Sequence, residues 1–150
     1  MSQVPRWLVW TSFVLAIAGL VDATYLAYEH GSGSNSLACP ETGHLNCAKV
    51  TTSSYSDFHG LPVAYLGVAY FVVLVLVMSP WAWANRSPAL RWGRVALVSV
   101  GLVFAIYLVW AELYRLDAIC LYCTGVHVVA FLLFAVVLLA EATRMPEEYA

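Results

Sequence analysis

A chain of 150 residues that is 62% hydrophobic and only 11% charged departs from soluble domains, where about a quarter of residues carry charge, and reads as a bilayer protein. A formal net charge of −2 with no basic run gives no footing for nucleic acid or an acidic partner. Four cysteines allow two pairs without proving either.

The first apolar stretch, about 7–28, follows Arg6 and is long enough as a helix to cross about 30 Å of hydrocarbon. A signal peptide also has a charged start, an apolar core and small residues such as those at 16–19. Here the apolar character continues past Asp22 to Tyr28, which favours a span. Asp22 reads as an acid satisfied by helix packing or interfacial water, with proton handling as the alternative.

Residues 29–60 form the one long polar segment and hold Cys39 and Cys47. The Gly-Ser-Gly-Ser-Asn-Ser run at 31–36 reads as a flexible linker, and Ser-Tyr-Ser-Asp at 54–57 as a capping box for a short helix on the membrane surface. Seven residues, including Pro40, Gly43 and Asn46, separate the two cysteines, so a disulfide between them is sterically easy. Closing so short a loop stabilises little, which leaves room for an exchangeable bond.

The second span, about 61–84, has no charge, opens with Pro62 in the first helical turn and ends near Trp81 and Trp83 at an interface. A turn at 85–94 carries Arg86, Arg91 and Arg94. The third span, about 94–114, ends at Trp110 and Tyr114, and a brief connection at 112–117 leads to the fourth, about 119–140. A charged tail occupies 141–150. The expected fold is a single-domain, all-α membrane protein: a four-transmembrane-helix bundle with a long outer loop, 29–60, between helices 1 and 2. Both termini and the arginine turn then share a side holding five of the seven Lys and Arg residues, which the positive-inside rule puts in the cytoplasm. The cysteines face the oxidising compartment, where disulfides persist.

The fourth span opens with the strongest motif, Asp117-Ala-Ile-Cys-Leu-Tyr-Cys-Thr-Gly-Val-His127. Read as a helix, Asp117 caps the first turn, Cys120 lies inside it, and Cys120, Cys123 and His127 share one face. A thiol at the positive end of the helix dipole is favoured as thiolate, so Cys120 is the better nucleophile and leaving group. Cys123 lies a turn deeper in the apolar run. Two other readings compete: a metal site using Cys39, His44 and Cys47 with His30 or His59, and a purely structural pair of disulfides in an inert membrane protein. The metal site would leave Cys120 and Cys123 without a role.

Four spans, a cysteine pair separated by seven residues in the first outer loop, and a pair separated by two at the start of the fourth helix resemble the vitamin K epoxide reductase family. Ser53, six residues after Cys47, and the Gly-Leu-Pro-Val-Ala-Tyr-Leu-Gly run at 60–67 match its bacterial members, and the resemblance covers about 7–140. DsbB-type quinone oxidases have similar chemistry, but there the two-residue-spaced pair comes first in the chain. The resemblance implies a disulfide relay ending in a quinone of the menaquinone, ubiquinone or vitamin K type, with no metal. Cys120 and Cys123 would form the active site, with Cys123 facing the quinone. Cys47 would attack Cys120, and Cys39 would take electrons from a partner dithiol. Ser53, Tyr122 and His127 are candidate quinone contacts, with Phe131 a further aromatic wall; read from the residues alone, Tyr122 and Phe131 are equally packing or interface anchors and His127 a histidine satisfied by a neighbouring helix. His127 stands where animal members often place a tyrosine. An asparagine that binds quinone in those members has no match near Val63, so vitamin K epoxide reduction is the alternative to disulfide formation. Bacterial members often carry a fused thioredoxin-like domain, and 150 residues leave no room for one, which implies a separate thioredoxin-fold (DsbA-like) partner on the outer side. The expected location is a bacterial inner membrane, with termini cytoplasmic and cysteines periplasmic.

Overall fold

The computed structural model describes residues 4–33 and 38–144. Three helices are long and apolar enough to cross a membrane: α1 (Arg6–Ser32), α5 (Pro88–Trp110) with a π-helical continuation, and α6 (Leu121–Ala142). The stretch expected as one span at 61–84 is divided instead into α3 (Val63–Met78) and α4 (Pro80–Ala84). Pro80 is the cause, because it lacks an N–H and disfavours helical backbone in the residue before it; Ser79 is extended, with ψ 147°. The Ser79 hydroxyl then caps α4 by accepting the Ala82 N–H at 3.2 Å. At 16 residues α3 is about 24 Å long, so helix length by itself supports three crossings rather than four.

α1 packs along α3 and α6, and α5 packs against α6. Close approach depends on small residues. Gly19 lies under the Phe71 ring and Gly101 under the Tyr70 hydroxyl, positions where a larger side chain would push the helices apart. Leu8, Ala16, Phe71, Leu74, Val98 and Leu133 belong to the resulting core. The outward faces are also apolar, with Val14, Val21, Leu76, Val103 and Leu132 exposed, as a hydrocarbon surrounding requires.

α1 is longer than expected: it runs through Gly31 and Ser32 and ends at Gly33 in the left-handed conformation, φ 63°. The start of the expected linker is therefore helical, and its remainder, 34–36, lies outside the described residues, as does 145–150 of the charged tail. The polar segment then forms α2 (Cys47–Thr51), capped by the Asn46 side chain, which accepts the Lys49 N–H at 2.8 Å. The expected capping box at 54–57 does not form. Ser53 spends its hydroxyl on the Val50 carbonyl, Ser54–Ser56 is a single 3₁₀ turn, and Asp57 enters a strand. That strand, β1 (Asp57–Phe58), pairs antiparallel with β2 (Leu61–Pro62). His59 and Gly60 join them with φ of 52° and 84°, the paired positive values of a tight hairpin turn. This ribbon is a small departure from an all-α fold, and it leaves Pro62 as the residue capping α3 instead of lying within its first turn.

Candidate active site

The connection expected at 112–117 is helical. α5 continues into Ala111–Leu116 with π-type bonding, and Asp117, at φ 46°, ends it. Asp117 therefore closes the preceding helix instead of capping α6, and its carboxylate lies 3.2 Å from His44 Nδ1. The capping residue of α6 is Cys120 itself: its backbone is extended, and its sulfur accepts the Cys123 N–H at 3.3 Å. The thiol of Cys123 also donates to it, and chiefly for that reason the Cys120 thiol sits below its ordinary pKa, against burial, which pushes it up.

The polar segment is docked onto this helix start through backbone. Ile119 N–H donates to His44 O at 2.8 Å, and Asn46 N–H donates to Ile119 O at 3.1 Å, a one-rung parallel bridge. Cys47 follows at once. It is disulfide-bonded to Cys39, while Cys120 and Cys123 are free thiols. The Cys47 sulfur accepts the N–H of Leu121, the first residue of α6, at 3.3 Å. Cys47 and Cys120 are thus buried side by side in a cluster with Leu26, Val50 and Ala118. Cys39 is only half-buried.

Below the cysteines a cavity of about 390 Å³ opens among α1, α3, α5, α6 and the loop, within the size range of small-molecule sites. Cys123, His127 and Ser53 line it. Tyr122 and Phe131 do not. Tyr122 turns toward α1, with its ring centroid 5.0 Å from that of Tyr25 and its hydroxyl donating to the Ala38 carbonyl, and Phe131 is exposed on the outer face. Tyr55, Phe58, Tyr70 and Phe104 supply the aromatic walls instead. Apolar walls with a few polar side chains among them, including His30, Ser53, Ser56 and His127, suit a flat, largely apolar molecule carrying a few polar oxygens, as a quinone does.

Sequence reading missed one residue, Glu112. It lines the cavity, is 5% exposed, and accepts the Cys120 N–H at 3.3 Å. Its sequence signal is a lone acid near the end of an apolar run, no different from an interfacial residue. A metal site built on Cys39 and Cys47 is ruled out in this state because their sulfurs are bonded to each other. Among the described residues no three His, Cys, Asp or Glu side chains are grouped as metal ligands. The model of the vitamin K epoxide reductase family matches residues 10–138, which include all four cysteines, Glu112 and His127, and the chain belongs to that family.

Proposed function

We propose that this member of a membrane redox family, whose activities join thiol–disulfide exchange to quinone reduction, passes two electrons from the dithiol of a separate thioredoxin-fold protein to a quinone, leaving a disulfide in that partner. The observation that carries the reading is the Cys47 sulfur seated on the first N–H of α6 beside Cys120, while Cys123, one turn on, opens on the apolar cavity.

The exchanges balance as follows. The partner's dithiol reduces the Cys39–Cys47 disulfide through Cys39, the more accessible sulfur, and is itself oxidised. Cys47 thiolate attacks Cys120 of a Cys120–Cys123 disulfide and releases Cys123. Cys39 then attacks Cys47, which restores the loop disulfide and frees Cys120. The two thiols at 120 and 123 give up two electrons and two protons as their disulfide re-forms. A quinone bound in the cavity supplies the oxidising power for that last step, and His127 and Ser53 are among the polar side chains lining it that would orient its oxygens. The pairing present here, with the loop oxidised and the α6 pair reduced, corresponds to completion of the loop-to-helix exchange.

In this reading α3 crosses the membrane together with α4 beyond the Pro80 break, giving four crossings in a bacterial inner membrane. The termini and the 85–94 turn are cytoplasmic, and the cysteines face outward. The arginine distribution supports that orientation.

The test is a trapped exchange. Cys39→Ser removes the resolving thiol, so a Cys47–Cys120 bond accumulates. Protease cleavage within 85–94 followed by electrophoresis without reductant then leaves the two halves joined, and reductant separates them. Halves that separate in Cys39→Ser but stay joined in Cys47→Ser reverse the roles of the loop cysteines. Separation in both overturns the relay.

A further inference from the structure

Glu112 and His127 form a buried polar pair whose packing role does not account for their chemistry. Glu112 is 5% exposed and His127 8%. One carboxylate oxygen, Oε2, accepts the Cys120 N–H at 3.3 Å; the other, Oε1, lies 3.9 Å from His127 Nδ1, which has no hydrogen-bond partner. Both side chains line the cavity onto which Cys123 opens. Accepting a single N–H needs only an amide oxygen, and a glutamine would do it without the cost of burying an ionisable group. The π-helical turn fixes Glu112 in place, because its carbonyl accepts the N–H groups of both Asp117 and Ala118. Such widened turns recur at functional sites.

We propose that Glu112 is the proton carrier for the quinone half-reaction, taking the proton lost at Cys120 and passing it to His127 Nδ1; this rests on the relay described above. Closing the Cys120–Cys123 disulfide releases two electrons and two protons, and forming a quinol consumes both. Cys123 opens on the cavity, so its proton is delivered there directly. Cys120 is fully buried. In the dithiol form its proton already rests on the Glu112 carboxylate, which is then the neutral acid, and Cys120 is the thiolate. Glu112 then gives that proton to His127 Nδ1 while His127 gives its Nε2 proton to the quinone oxygen. Glu112 returns to the carboxylate. The ring ends as the other neutral tautomer and re-equilibrates with water once the quinol has left.

Infrared difference spectra between the dithiol and disulfide forms of the protein, recorded without quinone, read this directly. The dithiol form should show a protonated-carboxyl C=O band that the disulfide form lacks. The band should vanish in Glu112→Gln and persist in Asp22→Asn, which removes the other acid acting on Cys123. In stopped-flow measurements Glu112→Gln should leave loop-to-helix thiol exchange within about twofold of the parent and slow quinol formation on the order of 100-fold, with Glu112→Asp recovering part of the loss. Absence of the band from the parent protein, its survival in Glu112→Gln, or its loss in Asp22→Asn overturns the assignment, as does parental quinol formation in Glu112→Gln. If Glu112→Gln does not fold, the parent spectrum together with Asp22→Asn and Glu112→Asp decides. Failure of the parent protein to form any quinol would sink the relay instead, and the infrared result would still stand or fall on its own.

Discussion

Both ends of the bundle bury charged side chains, and the ends differ in what those side chains face. At one end Arg94 is fully buried, and it donates through Nε to Val77 O at 2.8 Å and through Nη2 to Ala82 O. Its guanidinium lies 4.0 Å over the Trp83 ring, whose Nε1 donates to Ser12 Oγ at 3.2 Å. Arg91 Nε reaches Glu141 at 2.6 Å. The carbonyls taken by Arg94 lie beside the break at Pro80, where helix ends leave acceptors without intrahelical partners. At the other end Glu112, His127 and Cys123 face a cavity. A buried charge that donates to backbone carbonyls at a helix break repairs the fold. One that points at space is available to a ligand.

The contrast makes separable predictions. Cys123→Ser should lower electron transfer to quinone by on the order of 10³-fold or more, because no other thiol opens on the cavity, while shifting unfolding in detergent by about 1 kcal/mol or less. A stability loss equal to that at the Arg94 end would erase the distinction between the two regions. Arg94→Ala should do the reverse and cost about 3 kcal/mol, since it strands two buried carbonyls and uncovers Trp83. The folded fraction should exchange thiols at the parental rate, as denaturant titration followed by exchange kinetics would reveal.

The smallest effect concerns acidity. With its thiol held low by the Cys123 donor, Cys120 keeps thiolate character below the ordinary thiol range, so its reactivity with a small alkylating reagent should extend to lower pH. Cys123→Ala removes that donor and should move the alkylation midpoint up, with Cys123→Ser, which keeps a hydroxyl donor, in between. An unmoved midpoint would mean that the backbone N–H of Cys123 holds the sulfur without help.

Local patterns were readable from sequence and long-range consequences were not. The cysteine spacings and the apolar runs are local, and the family assignment stands on them. His127 lines the cavity because a four-residue step returns to the same helix face as Cys123. Tyr122 failed by the same rule, since the residue before Cys123 points about 100° around the helix, toward Tyr25 of α1. Pro80 was visible in the run at 61–84, yet hydrophobicity masked the break it causes. Asp117 resembled a helix-starting residue but ended the previous helix, because the π-type turn carries α5 further than its composition suggests. That turn is also what hid Glu112.

The one-rung bridge between residues 44–46 and Ile119 has a kinetic consequence. It is made of backbone, so side-chain changes in the loop leave it in place, and it holds Cys47 at the start of α6 while Cys39 stays half-buried. An incoming dithiol can therefore attack Cys39 without the loop leaving its seat, and the departing Cys47 thiolate is produced already next to its next target. Transfer to Cys120 then proceeds at an effective concentration of millimolar or higher, a first-order event independent of how dilute the protein is in the bilayer. In the proposed relay, encounter with the partner, and not a swing of the loop, then sets the pace.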